Sequence, residues 1–164
     1  MPTLAAAPTS AQTFKLQQTR IIRAPRNLVY EAWTNPEIMK QWFGPAGMYC
    51  PSAKVDARVG GDYHIDVHPT PETAKSLTAD ESMTRQATAS GTYTRIIPNE
   101  LLQFTWFPSW NPSEHSLVTV SLKDADGGTE VTIVHEGFTS EGSRDGHAKG
   151  WEGCLTKLES TLEN

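Results

Sequence analysis

Val131-Thr132-Ile133-Val134-His135-Glu136-Gly137-Phe138 leads into a segment that ends at Asn164, and this junction decides the fold. Val131 and Ile133 alternate with Glu130 and Thr132, the period-two pattern of a strand with one wet face. From Ala148 onward the period changes. Apolar residues fall at Ala148, Trp151, Leu155, Leu158 and Leu162, which places them on one stripe of a helix. A half-buried strand followed by a helix with one apolar face predicts that the helix lies across a sheet built from the strands upstream.

Those strands can be read in order. Phe14 to Ile22 alternates as a first strand, and Ala24-Pro25 stops it. Leu28, Val29, Ala32 and Trp33 then have helical spacing, and Asn35-Pro36 supplies an N-cap and a first-turn proline for a second short helix through Trp42. Gly44-Pro45-Ala46-Gly47 is a turn. Tyr49 to Val59 reads as a second strand, and Gly60-Gly61 turns it into Tyr63 to His68. Pro69 to Thr84 is polar and aperiodic, which predicts a loop or a short helix. Gln86 to Ile97, Leu101 to Phe107, Val118 to Leu122 and the strand through His135 follow, with turns at Pro98-Asn99-Glu100 and Asp126-Gly127-Gly128.

The predicted order is one strand, two short helices, six strands joined mainly by hairpins, and one long helix. This is an α+β fold: a curved antiparallel sheet wrapped around a long C-terminal helix, with two short helices after strand 1. A gap must remain wherever helix and sheet side chains fail to interdigitate, and that gap is the natural ligand cavity.

At 164 residues, with 37% hydrophobic and 20% charged side chains, the chain fits one domain. Residues 1–13 are expected to form a flexible N-terminal tail and 14–164 the domain. The net charge of -5, without a cluster of Lys and Arg, argues against nucleic acid or an anionic membrane as partner. No apolar run approaches the ~20 residues of a membrane span, and the first residues lack the basic start and apolar centre of a signal peptide. Cys50 and Cys154, far apart and without CxxC spacing, are expected to be reduced thiols. Together these features suit a cytoplasmic protein.

Several stretches taken together carry a family resemblance. They are Trp42-Phe43-Gly44-Pro45, Val59-Gly60-Gly61, Gly91-Thr92-Tyr93 with Ile96, Leu101 to Trp106, Gly128 to Thr132, His135 to Phe138, and His147 to Trp151 with Leu155 and Leu158. In this order they resemble the SRPBCC superfamily, also called START-like or Bet v 1-like, and within it the activator of Hsp90 ATPase homologue 1-like branch. The resemblance implies a helix-grip fold. It also implies a choice among functions, because the superfamily holds ligand carriers, cyclases and co-chaperones.

The expected function is binding of a small apolar or aromatic molecule between sheet and C-terminal helix, with no cofactor and no metal. The alternatives are a cyclase/dehydratase-like enzyme in the same cavity, or a co-chaperone that binds a protein; a chaperone partner is the less favoured. A homodimer is left open. The candidate ligand-binding residues are Trp42, Tyr63, Tyr93, Trp106, His135, His147 and Trp151. His135 shares a strand face with Val131 and Ile133, and His147 stands one helical turn before Trp151. Either histidine could move a proton near neutral pH, and a tyrosine tip could orient a carbonyl. His64, Asp66 and His68 share a strand face, but residues four apart on a strand are ~13 Å apart, too far for both rings to reach one ion. A phosphate-cradling glycine loop and a nucleophile with an adjoining base are both missing.

Overall fold

The computed structural model describes residues 13–78 and 86–163. Most of the expected tail, the later part of the Pro69 to Thr84 segment and Asn164 lie outside the described residues. Along the chain come β1 (Phe14–Ile22), α1 (Arg26–Thr34), α2 (Pro36–Trp42), β2 (Met48–Val55), β3 (Asp62–Pro69), α3 (Pro71–Ala74), β4 (Ala87–Ile97), β5 (Leu101–Pro108), β6 (Ser116–Ala125), β7 (Gly128–Phe138) and α4 (Glu141–Glu163). The strands form one antiparallel sheet in the order β1-β7-β6-β5-β4-β3-β2. The fold is the α+β helix-grip arrangement.

Strand alternation sorts residues between the two faces of the sheet. On β6, Val118, Val120 and Leu122 are buried, and on β7 Val131, Ile133 and His135 are buried. Near its end β7 breaks this phase. Phe14 pairs with Phe138 and Lys15 with Glu136, so Gly137 is an unpaired bulge residue, and its φ of 100° is one that side chains with a Cβ rarely adopt. The bulge returns Phe138 to the inner face, where its ring lies 4.3 Å from His135.

Two sequence boundaries move. The second strand stops at Val55 rather than Val59, because Asp56 to Gly61 forms the hairpin loop: Arg58 pairs with Asp56 at 2.9 Å and Gly60 takes a φ of 87°. The last helix begins at Glu141, well before the apolar stripe. Ser140 Oγ accepts the backbone N–H of Ser143 at 3.0 Å and starts it. Asn35 caps α2 as its sequence suggested, accepting from the Glu37 N–H at 2.9 Å.

α4 packs on β1, β7, α1 and α2. Leu155 and Leu158 are fully buried in its second half, and polar contacts tie the helix to β1 and its following turn. Gln18 donates to the Ala148 carbonyl (2.6 Å), Arg20 to Thr156 (2.9 Å), and the Arg23 N–H to Glu163 (2.9 Å). Toward β3 and β4 the first half of the helix does not close the gap.

Candidate functional site

A cavity of about 670 Å³ fills this gap, a size suited to a drug-sized molecule. Its sheet wall is Val67 of β3, Ala87 and Ala89 of β4, and Trp106 of β5. The turn from Phe43 to Met48 forms the floor, and Trp110 and Asn111 from the β5–β6 loop stand at the rim. The opposite wall is α4, through Gly142, Ser143, Gly146, His147, Gly150, Trp151 and Cys154. Burial pushes the Cys154 thiol up to about 12, so it meets the cavity as a neutral, apolar group.

The glycines explain why the cavity stays open. Gly142, Gly146 and Gly150 recur every four residues and so share one face of α4. A Cβ on Gly146 would meet nothing within 4 Å, and on Gly150 it would come no closer than 3.9 Å to Pro45. None of the three is needed to let another backbone approach. Gly153 differs: a Cβ there would sit 2.7 Å from the Ala46 backbone nitrogen, so this glycine clamps the helix to the floor turn. Lys157 reinforces the clamp by donating to the Met48 carbonyl at 2.8 Å.

Two histidines and two tryptophans are interlocked beside the cavity. The indole N–H of Trp106 donates to His147 Nε2 at 3.2 Å, so His147 carries its proton on Nδ1 and gives it to the Ser143 carbonyl at 2.8 Å. The indole N–H of Trp151 donates to His135 Nδ1 at 3.0 Å, so the His135 proton sits on Nε2 and points to the Ser116 hydroxyl at 2.8 Å. Indoles can only donate, which fixes both tautomers. Burial first, and His147 second, drive the His135 pKa down to about 2. Burial also lowers His147, outweighing the upward pull of the Ser143 carbonyl and Glu114. Both rings are neutral near pH 7.

Of the residues expected from sequence, Trp106, His147 and Trp151 line the cavity together. Trp42, Tyr63, Tyr93 and His135 are buried but do not line it. Trp42 is tied to α1 through its indole N–H and the Ala32 carbonyl (3.0 Å) and packs on Trp33, and its neighbour Phe43 takes the cavity position. Tyr63 stands four residues, about 13 Å, from cavity-lining Val67 along the same strand. It packs with Tyr93 and Phe104 at ring separations of 5.7 and 5.2 Å, and its hydroxyl donates to the Thr105 carbonyl at 2.5 Å. His135 lies behind the rings of Trp106 and Trp151, 5.5 and 6.2 Å away. On β3, Asp66 accepts from Ser52 and contacts His64 at 3.2 Å, while His68 packs on Tyr49.

Two features escaped the sequence reading. Trp110, half-exposed, lies 5.5 Å from the His147 ring and 6.4 Å from Trp106, over the cavity mouth. Its loop is pinned at one end by Ser109 N–H to the Thr88 carbonyl (2.9 Å). At the other end the buried Glu114 carboxylate takes the Thr139 N–H (2.7 Å), the Thr139 hydroxyl (2.8 Å) and the Ser143 hydroxyl (2.5 Å). The glycine face is the second, and its four-residue spacing inside an expected helix was the available signal.

Comparison with known proteins agrees with this architecture. A protein of Chromobacterium violaceum superposes with a TM-score of 0.76 at 24% identity, over 92% of this chain and 97% of that one. An AHSA1 protein of Silicibacter pomeroyi gives 0.75 at 19%, over 92% and 98%. The solution structure of an AHSA1-like protein of Aeromonas hydrophila gives 0.70 at 19%, over 92% of each chain. The sequence has no match among curated proteins. The sequence model of one family matches residues 23–163, from the end of β1 through α4. The chain belongs to the family of activator of Hsp90 ATPase homolog 1-like proteins.

Proposed function

We propose that the protein binds a small, largely apolar molecule in the cavity between β3–β5 and the first half of α4. The observation that carries this is the empty glycine face. Glycine inside a helix costs about 1 kcal/mol relative to alanine, and Gly142, Gly146 and Gly150 each have room for a Cβ. Packing therefore gives no reason for three glycines. Space for a ligand against Trp106, Trp110 and Trp151 does.

Binding is favoured over proton transfer on this scaffold because both nitrogens of His135 and both of His147 already have partners. With Nε2–H pointing at the Ser116 hydroxyl, His135 also has the wrong tautomer to activate that serine. A protein-binding role is less favoured. Of the exposed large apolar side chains, Ile21, Leu28, Tyr49, Val59 and Ile97 are spread over different strands, a helix and a turn, and Phe107 and Trp110 stand at the end of β5 and in the loop after it.

The test is a thermal-shift screen of neutral and charged aromatic and aliphatic compounds against the wild type and Gly146→Leu. Gly146 lines the cavity and a Cβ there has space, so a leucine at 146 adds bulk at the cavity wall. Compounds that raise the melting temperature of the wild type and leave Gly146→Leu unmoved support the reading. Equal shifts in both proteins place the binding elsewhere and end it.

A further inference from the structure

The cavity mouth contains the first turn of α4, through Gly142 and Ser143. The positive pole of a helix of this length would ordinarily favour an anion. Here the protein supplies the anion itself. Burial raises the pKa of Glu114, but the hydrogen bonds from Ser143 and Thr139, aided by His147, more than reverse this, so Glu114 is a carboxylate one hydrogen bond behind the lining. Below the floor, the Lys157 ammonium is taken up by the carbonyls of Pro45 (3.4 Å) and Met48 (2.8 Å). Between these two, His147 is neutral and each of its ring nitrogens is engaged. Each of these charged groups around the cavity is matched within the protein.

The walls also have a shape. Indole and phenyl rings of Trp106, Trp110 and Phe43 form one set of surfaces, facing α4 and its Trp151. Against them lies the α4 face from Gly142 to Gly150, bare at its three glycines with Ser143 and His147 between them, about 12 Å long at 1.5 Å per residue, the length of two to three fused rings. Two side chains at the rim, Asn111 and Trp110, have donors without a partner among the described residues. Asn111 Oδ1 accepts the Ser113 hydroxyl at 3.3 Å, and its amide N–H groups have no partner among the described residues.

From this we infer that the ligand is an uncharged molecule with a flat ring system, carrying an oxygen acceptor for Asn111 at the mouth. A carboxylate, phosphate or ammonium would lose its hydration without meeting a free counter-charge, whereas a flat ring fills the slot between the rings and the glycine face of α4. The inference rests on the binding reading above.

Isothermal titration calorimetry at neutral pH with four probes separates the two. The probes are 2-methoxynaphthalene, 2-naphthoate, 1-decanol and decanoate. The expected result is that 2-methoxynaphthalene binds at least about tenfold more tightly than 2-naphthoate and more tightly than 1-decanol. All binding should vanish in Gly146→Leu. In Glu114→Gln, removal of the resident anion should improve 2-naphthoate several-fold relative to 2-methoxynaphthalene. Equal or tighter binding of 2-naphthoate overturns the uncharged ligand, and equal or tighter binding of 1-decanol overturns the flat one. In both cases loss of binding in Gly146→Leu keeps the cavity reading intact. An unchanged ratio in a folded Glu114→Gln overturns the role given to that carboxylate. If no probe binds, or if Gly146→Leu binds as the wild type does, the cavity reading fails and this inference fails with it.

Discussion

The two halves of α4 share one axis and use it in opposite ways. From Trp151 onward, Leu155 and Leu158 are fully buried and Gly153 brings the helix against the Pro45-Ala46 turn. Before Trp151, Gly142, Gly146 and Gly150 present no side chain to the cavity, and β4 answers with Ala87 and Ala89. One half contributes stability by filling space, and the other gives up stability to leave space. A helix can thus be a core element and the wall of a cavity, provided the two tasks occupy different turns.

The contrast can be broken most forcefully at Leu158. Leu158→Ala should destabilise by about 2–5 kcal/mol, the cost of a buried leucine plus the void it leaves, with no direct effect on the cavity beside Trp106. Denaturant titration measures it, and a loss below about 1 kcal/mol would mean that the second half is not core. Gly153→Ala comes next. Its methyl would meet backbone at 2.7 Å, so a loss of about 1–3 kcal/mol is expected from the forced shift of the floor turn.

At the junction of the halves, Trp151 joins His135. Because the folded pKa of His135 lies near 2 and its ordinary value is 6.5, the unfolded chain binds the extra proton between these values. Stability from this group is complete above about pH 6.5 and falls as pH drops below it, by up to about 1.4 kcal/mol per pH unit. Denaturation midpoints between about pH 7 and pH 5 test the sign, and a flat profile would contradict the neutral, buried ring. His147, also lowered, adds to the same slope.

The smallest change is the sharpest. Gly146→Ala should stabilise the fold by roughly 0.5–1 kcal/mol, since the methyl has room and alanine is the better helix former. Opposite signs at positions 146 and 153 of one helix would establish the division of labour. Equal losses at both would abolish it.

Much of the fold was legible because it rests on periods. Alternation on β7 and the stripe from Ala148 to Leu162 are local patterns, and they led to a sheet covered by a helix. The first half of α4 carried no such pattern, because the glycines that open the cavity also erase the apolar stripe. Trp106 and His147 could be placed because strand and helix periods put them on inward faces. Tyr63, Tyr93 and His135 face inward too, but the faces of a strand do not reveal which stretch of its length lies under the cavity. That depends on where α4 crosses the sheet, a tertiary fact. Trp110 sits in an aperiodic loop, and its position over His147 depends on the anchoring of Glu114 more than 25 residues away in sequence from Ser143, its hydrogen-bond donor.

The arrangement of indoles has an optical consequence. Of the five tryptophans, Trp33, Trp42, Trp106 and Trp151 are no more than 4% exposed, while Trp110 is 52% exposed. The expected emission of the folded protein is therefore a blue band from four enclosed rings with a red shoulder from one wet ring at the cavity mouth. That shoulder is a built-in gauge: any molecule that settles beneath Trp110 displaces its water and moves the colour of the protein, with no label attached.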